Sequence, residues 1–247
     1  MAKGIFILGT DTDVGKTVIT AGLVHTLRSK GHHACSFKSV QSGGIDEGGK
    51  LISADTRFVK RVADFQEDDS LLNPYCLKTP VSPHLAARLE GIEIEKEKIF
   101  NAYNTLCQRY DFIVAEGSGG LMVPLLHKDY MIYHLIQDLG LPVIVVAKAG
   151  VGTINHTCLT VQAARHFGIG VKGIIINGYG GSAAEVDNIQ MIQGFTGVTV
   201  LATIRKLENI NVETGSMGEL REEFDEKLSI EKLIVCMAEA KEVKSNA

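Results

Sequence analysis

The feature that most constrains how this chain folds is a glycine-rich loop near its start. An apolar run at residues 5–8 is followed by the segment GTDTDVGKT at residues 9–17 and then by a helical pattern. Glycines let the backbone turn so that successive N–H groups face one anion, and the following helix adds its positive end. This order of strand, loop and helix predicts a site for the phosphates of a nucleotide.

Two side chains of this loop carry its chemistry. Lys16 is placed to reach the β- and γ-phosphates, and the Thr17 hydroxyl is placed to ligate a Mg²⁺ that bridges phosphate oxygens. The loop is one residue longer than the common pattern, because its first glycine stands six positions before Gly15. Its Asp11 and Asp13 are unusual beside polyphosphate, since their charge must be offset by lysines, metal or hydrogen bonds. The alternative is a chance glycine turn between a strand and a helix.

Composition excludes several classes of protein. The chain has 247 residues, enough for one α/β core, and a formal net charge of −4, which gives no global basic field for nucleic acid or anionic membrane. The five cysteines are scattered and never form a C-x-x-C pair, so we expect reduced thiols and neither a disulfide framework nor a zinc site. No apolar run approaches the ~20 residues that span a bilayer. We therefore expect a cytoplasmic protein without nucleic-acid or membrane partners.

Strand and helix patterns alternate along the chain, which predicts an α/β fold. We expect a doubly wound, mostly parallel sheet with helices on both faces, of the P-loop nucleoside triphosphate hydrolase type. A single domain should span residues 1–247, with a frayed tail at 241–247. The glycine-rich segment 45–50 predicts a mobile loop that closes over substrate, and residues 67–69 predict an acidic loop. Strands are predicted at residues 33–37, 111–115, 142–147, 171–176 and 198–202, and helices at 18–30, from 53, at 84–89, 94–110, 131–139, from 155 to 167, at 183–193 and at 229–240.

Three oxygen-bearing side chains fall where such a fold brings its strand ends and loops together. Thr17 ends the glycine-rich loop, Asp55 lies in the first turn of a helix, and Glu116 follows a buried strand. Hard oxygen ligands of this kind suit Mg²⁺ when phosphate and water complete its octahedron. The alternatives are a helix-terminus charge for Asp55 and a strand-end cap for Glu116. The three together favour a metal site.

Two further features indicate binding of negative charge. Lys38 leaves the second strand at the sheet edge where ligands bind, so it is either a solvated strand-end lysine or a second cation that acts with Lys16 during phosphoryl transfer. The segment GVGTIN at residues 150–155 opens a helix and offers free N–H groups to an anion such as a substrate carboxylate. A tight turn with Asn155 as a cap is the alternative there. We assign no chemistry to His156.

Together these motifs resemble the dethiobiotin synthase family, whose ATP-dependent members close the ureido ring in biotin synthesis. The resemblance extends from residue 3 to about residue 204. It rests on the long glycine-rich loop, on Lys38 followed by Ser42 and Gly43, on Asp55, on NPY at 73–75, SPH at 82–84 and EGSGG at 116–120, and on Asn155, His156 and Asn177.

The resemblance implies a reaction in which 7,8-diaminononanoate, CO₂ and MgATP give dethiobiotin, ADP and phosphate. One amine of the substrate takes up CO₂ as a carbamate, the γ-phosphoryl group moves onto the carbamate to form a carbamic-phosphoric anhydride, and the second amine displaces phosphate. It also implies a homodimer with the substrate site near the subunit interface.

The resemblance also assigns roles to individual residues. The catalytic residues would be Lys38, Lys16 and Thr12. The ATP contacts would be Asp13, Val14, Gly15, Lys16, Thr17, Val18, Glu116 and, at the base, Asn177. The diamine or carbamate would contact Thr12, Lys38, Ser42 and Gly119, and the substrate carboxylate would be received by Gly150, Gly152 and Asn155 of the neighbouring subunit. Mg²⁺ would be held by Thr17, Asp55 and Glu116.

Two other classes share parts of this pattern. Switch proteins related to the chromosome-partition ATPases share the fold, dimerise and act on protein or DNA partners, but they carry a further lysine early in the loop, and residues 9–14 contain none. Amide-forming ligases of the cobyrinic acid type need a glutamine-hydrolysing domain, for which the length leaves no room. The chain departs from the dethiobiotin synthase pattern on the nucleotide side, where Arg205 stands in place of the usual proline after Ile204.

Overall fold

The computed structural model describes residues 1–126 and 128–243. Helices and strands alternate along most of it, and the short strands β3–β6 and β11–β13 lie outside the regular alternation. The elements are β1 (Lys3–Gly9), α1 (Lys16–Ser29), β2 (Ala34–Lys38), β3 (Val40–Ser42), β4 (Ile45–Glu47), β5 (Lys50–Ile52), α2 (Ala54–Ala63), α3 (Asp69–Leu72), β6 (Tyr75–Leu77), α4 (Pro83–Glu90), α5 (Lys96–Arg109), β7 (Phe112–Glu116), α6 (Ile132–Leu139), β8 (Val143–Lys148), α7 (Thr153–His166), β9 (Val171–Tyr179), α8 (Ala183–Thr196), β10 (Val200–Arg205), β11 (Ile210–Asn211), β12 (Ser216–Met217), α9 (Leu220–Lys227), α10 (Ile230–Cys236) and β13 (Ala238–Glu239).

A parallel sheet with the strand order β10-β9-β8-β1-β7-β2 forms the centre of the molecule. Strands β1, β2, β7 and β8 are apolar and almost wholly buried, as a sheet covered by helices on both faces requires. Helix α1 packs against β1, β2 and β7, whereas α7 packs against β8 and β9. The predicted doubly wound α/β fold of the P-loop type is confirmed.

The strand order determines where ligands can bind. The chain passes from β1 out to β2, returns to β7 between them, and continues to β8 on the other side of β1. Because the carboxyl ends of parallel strands meet at one sheet edge, the side chains that follow them converge there. Lys38 of β2 and Ile7 of β1 both lie in register with Glu116 of β7. The ends of β2 and β7 are therefore level with each other, and β1 continues two residues further, to Gly9.

Helix starts are set by local capping. The Ser53 hydroxyl accepts a hydrogen bond from the backbone N–H of Thr56 at 3.1 Å, so α2 begins as predicted and carries Asp55 in its first turn. Gly15 precedes α1 with φ of 93°, a left-handed conformation that favours glycine. Helix α1 therefore begins at Lys16, two residues before the predicted start.

Three predicted segments differ in secondary structure from the observed fold. The loop predicted at residues 45–50 is a hairpin of β4 and β5 that turns at Gly48 and Gly49, whose φ angles are 67° and 88°. A Gly-Gly pair between two short strands favours a two-residue hairpin turn, which explains the difference. The helix predicted over residues 229–240 ends at Cys236, because residues 238–239 form β13 against the start of β1. Helix α3 begins at Asp69, within the predicted acidic loop.

The tail predicted to fray from residue 241 is attached as far as Val243. This residue is 8% exposed, its N–H donates to Oδ1 of Asn104 at 2.9 Å, and its carbonyl accepts from Nδ2 of Asn104 at 2.8 Å. Pairing with a side-chain amide is a tertiary contact that the polar composition of the tail did not indicate. Residues 244–247 lie outside the described residues.

Candidate active site

A cleft of about 790 Å³ opens at the carboxyl edge of the sheet, above the glycine-rich loop. Its size is typical of sites for small molecules and cofactors. The walls come from the loop and the starts of α1 and α2, from the ends of β2 and β7, and from four further segments, within residues 41–43, 80–83, 117–123 and 212–213. The predicted residues that line it are Thr12, Asp13, Gly15, Lys16, Thr17, Val18, Lys38, Ser42, Asp55, Glu116 and Gly119.

The loop lysine lies across the loop itself. Nζ of Lys16 donates to the carbonyl of Asp11 at 2.9 Å, and a Cβ added to Gly9 would lie 2.9 Å from this Nζ. Glycine at this position therefore leaves the space that the lysine occupies. Burial lowers the pKa of Lys16, an effect that the nearby Glu116 carboxylate offsets only in part. The result is a buried cation at the place where a nucleotide's phosphates are expected.

Glu116 is the centre of a buried polar cluster. Its Oε1 accepts hydrogen bonds from the Thr17 hydroxyl at 2.8 Å and from Nζ of Lys38 at 2.8 Å. Nζ of Lys38 also forms an ion pair with Asp55. The side chains of Lys38 and Glu116 are 11% and 2% exposed, so Lys38 is not a solvated strand-end lysine. The cluster unites residues of α1, α2, β2 and β7.

The charge of Lys38 is stabilised by its two carboxylate partners. Burial by itself lowers the pKa of this lysine, but attraction to Asp55 and Glu116 outweighs burial, so the pKa lies above its ordinary value. A buried charge is tolerated when it is paired in this way. Lys38 is therefore a fixed ammonium group at neutral pH.

The oxygen donors of the cluster fit a Mg²⁺ bound together with nucleotide. Thr17, Asp55 and Glu116 all line the cleft, and the last two share one ammonium partner. Mg²⁺ takes one or two carboxylates and leaves other positions to phosphate and water. In residues 1–126 and 128–243 there is no cluster of three or more His, Cys, Asp or Glu that holds a metal alone. A Mg²⁺ at these donors would therefore share its coordination with phosphate and water.

The residues predicted to contact the diamine lie beside this cluster. Ser42 belongs to β3, which pairs in parallel with β6. Gly119 has φ of 75°, and a Cβ added to it would lie 2.8 Å from the Val123 side chain and 3.7 Å from Oγ1 of Thr12. Glycine at position 119 therefore leaves the space that the Val123 side chain occupies, next to Thr12 of the loop. The four predicted diamine contacts, Thr12, Lys38, Ser42 and Gly119, all line the cleft.

Asn177 supports the glycine-rich loop from behind. Its Nδ2 donates to the Val14 carbonyl at 3.0 Å, and a Cβ added to Gly15 would lie 2.0 Å from this Nδ2. Neither Val14 nor Asn177 is among the described residues that line the cleft. In this structure Asn177 holds the shape of the loop.

The start of α7 lies outside the cleft of its own chain. Gly152 precedes this helix with φ of 90°, and Gly150 and Asn155 are exposed. The neighbouring Val151 is fully exposed. One chain therefore does not bring these predicted substrate contacts to Lys38.

Parts of the cleft wall were missed by the sequence analysis. One such part is the segment at 212–213, which is held by Arg57 of α2. Nη2 of Arg57 donates to the Glu213 carbonyl at 2.9 Å, and its Nη1 pairs with Glu47. Arg57 thus joins the β4–β5 and β11–β12 hairpins to the helix that carries Asp55. The segment VETG at 212–215 is a turn signal that predicts the second hairpin but not its position. The wall residues without a predicted role are Gln41, Gly43, Ala54, Pro80, Val81, Ser82, Pro83, Gly117, Ser118, Val123, Val212 and Glu213.

Arg205, which stands in place of the family's usual proline, is held by an ion pair. Its backbone N–H donates to Oε1 of Glu223 at 2.8 Å and its Nε to Oε2 at 2.6 Å. Glu223 is 1% exposed. The end of β10 is therefore attached to α9 by a buried carboxylate.

The comparisons with known proteins agree with this geometry. Residues 3–214 match a family model described as an AAA domain. The ATP-dependent dethiobiotin synthetase BioD of Clostridium kluyveri is 47% identical over 214 residues, which cover 85% of this chain and 89% of that protein. The enzyme of the same name from Clostridium novyi is 40% identical over 241 residues, which cover 96% of this chain and 99% of that protein.

A solved structure gives a more distant match. The septum site-determining protein MinD of Pyrococcus horikoshii, complexed with Mg-ADP, matches with a TM-score of 0.59 and 18% identity, over 91% of this chain and 93% of that one. Similarity at this level of identity shows a common fold.

Proposed function

This chain belongs to the ATP-dependent dethiobiotin synthetase family. We propose that it closes the ureido ring of dethiobiotin in the cleft around Lys16, Lys38 and Glu116. The enzyme uses ATP to convert diaminononanoate into dethiobiotin in biotin synthesis. One observation supports placing the reaction in this cleft. The loop lysine, a second buried lysine and three hard oxygen donors lie in a single cleft at the sheet edge.

ATP binds with its phosphates on the glycine-rich loop in this proposal. Lys16 and the backbone N–H groups of residues 13–18 hold the β- and γ-phosphates, while Asn177 supports the loop. Thr17, Asp55 and Glu116 hold Mg²⁺, which when bound neutralises charge on the phosphate oxygens. The base would lie beside the ends of the neighbouring strands β9 and β10, which carry Asn177 and Arg205.

Lys38 serves the reacting groups on the other side of the cluster. A carbamate formed from one substrate amine and CO₂ attacks the γ-phosphorus, and the bond to the ADP oxygen breaks. The second amine then attacks the carbonyl carbon of the resulting anhydride, phosphate leaves, and the amine loses its proton. The Lys38 ammonium stabilises negative charge on the carbamate and on the phosphoryl group in transfer. The hydroxyls of Thr12 and Ser42 orient the diamine or carbamate.

We further propose that a second copy of the chain completes the substrate site. The N-terminus of α7 attracts anions, yet Gly150, Gly152 and Asn155 lie outside their own cleft. Exposed apolar side chains on this segment, Val151 and Leu159, suit contact with another subunit. In the resulting homodimer, α7 of one subunit receives the carboxylate of the substrate bound at Lys38 of the other.

The proposed setting is the cytoplasm, with residues 1–247 forming one domain. The five cysteines have free thiols, as in proteins of a reducing compartment. Among the described residues, none of the helices combines the length and the hydrophobicity needed to cross a membrane.

The reaction is tested by measuring phosphate release from MgATP in the presence of 7,8-diaminononanoate and bicarbonate. Each component is omitted in turn, and the organic product is identified by mass. We expect phosphate and dethiobiotin in equal amounts from the complete mixture only. Phosphate release that ignores the diamine, or that rises with DNA or a protein partner, favours a switch ATPase and removes the roles of Lys38, Ser42 and Asn155.

A further inference from the structure

We propose that Asn73 is a positioning residue that aims the Lys38 ammonium at the reacting groups. The inference rests on the proposed role of Lys38 in ring closure. Asn73 does not line the cleft among the described residues, and it acts through the backbone of Lys38.

One side-chain amide joins the end of the main sheet to a smaller one. Nδ2 of Asn73 donates to the carbonyl of Lys38 at 2.7 Å and to the carbonyl of Tyr75 at 3.1 Å. Lys38 ends β2, and Tyr75 begins β6, which pairs with the β3 strand that carries Ser42. Asn73 therefore fixes the position of Lys38 relative to the small sheet that carries Ser42.

The amide itself has little freedom. Asn73 is 6% exposed, and its backbone N–H donates to the Asp69 carbonyl at 2.7 Å as the cap of α3. The following Pro74 disfavours helical backbone at Asn73, which has φ of −144° and ψ of 85°. The two amide hydrogens of Asn73 are used by the two carbonyls, whereas its Oδ1 is buried with no hydrogen-bond partner among the described residues. A fixed donor therefore restrains the peptide group of Lys38.

This restraint matters because a lysine side chain is long and flexible. At the tip of the Lys38 side chain, Nζ is held by Asp55 and Glu116, whereas its other end is held only by the backbone. When substrate and phosphate compete for the ammonium, the carboxylate contacts weaken, and the direction of the side chain depends on its backbone. Displacement of a catalytic group by ~1 Å costs on the order of 100-fold in rate.

The test compares two variants of Asn73 with a change at Tyr75, two residues further along the chain and at the start of β6. Asn73→Ala removes both donors, and Asn73→Asp keeps the shape but places a carboxylate oxygen against two carbonyls. Tyr75→Phe is the control, because it removes only a hydroxyl that accepts from the N–H of Glu95 at 2.9 Å. Dethiobiotin formation, MgATP binding and thermal unfolding are measured on all three variants and on the wild type.

We expect each folded Asn73 variant to lose about 10- to 100-fold in kcat, while the KM and Kd for MgATP change by less than about twofold. The control should keep near wild-type kcat even where its unfolding temperature falls by a similar amount. Loss of kcat in proportion to lost thermal stability in all three variants overturns the proposal.

Acylation of Lys38 by acetic anhydride, quantified by peptide mass, gives a readout that does not depend on turnover. We expect faster labelling of Lys38 in the Asn73 variants and unchanged labelling in Tyr75→Phe. Equal labelling in all forms overturns the role of Asn73. A wild type that makes no dethiobiotin overturns the proposed function instead, so the two failures are distinguishable.

Discussion

Nζ of Lys38 lies 2.8 Å from Oε1 of Glu116 in the buried cluster. The lysine is proposed to serve the substrate and the carboxylate to serve the metal of the nucleotide. Because the two groups are in contact, the substrate half and the metal half of the site are electrostatically coupled. A change to either group alters the electrostatic potential at the other. Substitution of Lys38 and substitution of Glu116 test the two halves one at a time.

Lys38→Ala is expected to abolish ring closure, with a loss of at least ~100-fold in kcat, because the growing charge on the phosphoryl group loses its buried cation. MgATP binding should stay largely intact, since Lys38 lies outside the glycine-rich loop. Calorimetric titration with MgATP measures the binding, and Lys30→Ala, at an exposed lysine, is the control. Complete loss of nucleotide binding contradicts the assignment.

Glu116→Gln is expected to raise the Mg²⁺ concentration needed for half-maximal turnover. The amide keeps an oxygen that accepts from the Thr17 hydroxyl, but it removes the charge that Mg²⁺ prefers. A Mg²⁺ titration of turnover at fixed ATP measures the effect, with Glu97→Gln on the exposed face of α5 as control. An unchanged titration means that Glu116 is structural.

The parts of the site that follow from local pattern were predictable from sequence. Strand, glycine loop and helix are consecutive, so Lys16 and Thr17 could be placed directly. Lys38 and Glu116 end two apolar runs, and parallel strand ends meet at one edge, so their neighbourhood in the cleft followed as well. The structure brings them into the predicted cleft.

The remaining features depend on contacts between distant parts of the chain. Asn177 and Val14 are separated by 163 positions, and nothing in either segment indicates that one side chain supports the other loop. The β11–β12 hairpin reaches the cleft because Arg57 holds the Glu213 carbonyl. Strands of two or three residues, such as β13 and β6, are too short for hydrophobic alternation to predict them.

Gly15→Ala is expected to weaken MgATP binding by at least ~10-fold, for two separate reasons. Its φ of 93° strains a non-glycine residue by roughly 1–3 kcal/mol, and the added Cβ would lie 2.0 Å from Nδ2 of Asn177. Asn177→Ala alone should weaken binding a few-fold, because the Val14 carbonyl loses its donor.

In the double variant Gly15→Ala with Asn177→Ala, the steric contact is removed and the backbone strain remains. We therefore expect the double variant to bind MgATP more tightly than the sum of the two losses predicts. Calorimetric titration of the three variants measures the coupling. Strict additivity contradicts a direct contact between these residues.

Asn155→Asp is expected to raise the KM for diaminononanoate and to leave the KM for ATP unchanged, because a carboxylate at the start of α7 repels the carboxylate of the substrate. Mixing this variant with Lys38→Ala tests whether the site is shared. A hybrid dimer combines the intact Lys38 of one subunit with the intact Asn155 of the other. After subunit exchange, activity measured well below the raised KM for the diamine should therefore return to about a quarter of the wild-type value. No recovery, with exchange demonstrated, contradicts a shared site.

Glu67 is expected to make stability depend on pH in the acid range. Burial raises the pKa of this carboxyl, but hydrogen bonds from the Asp68 N–H at 2.8 Å, Nη1 of Arg109 at 2.9 Å and the Tyr110 hydroxyl at 3.2 Å outweigh burial, and the pKa lies below its ordinary value of 4.5. A carboxyl whose pKa falls on folding stabilises the protein above the unfolded-state pKa. That stabilisation is lost as the pH falls through the folded-state pKa.

Glu67→Gln should therefore lower the free energy of unfolding by about 1 kcal/mol at pH 7, because a neutral amide replaces the charged carboxylate that accepts these hydrogen bonds. The difference from the wild type should shrink as the pH falls below about 4.5, because the unfolded-state carboxyl takes up a proton there, and its charge-dependent part should vanish below the folded-state pKa. Urea unfolding at pH 7, 5, 4 and 3.5 measures the difference, with Glu97→Gln as the exposed control. A difference that stays constant over this range assigns the stabilisation to the shape of the Glu67 side chain and not to its charge.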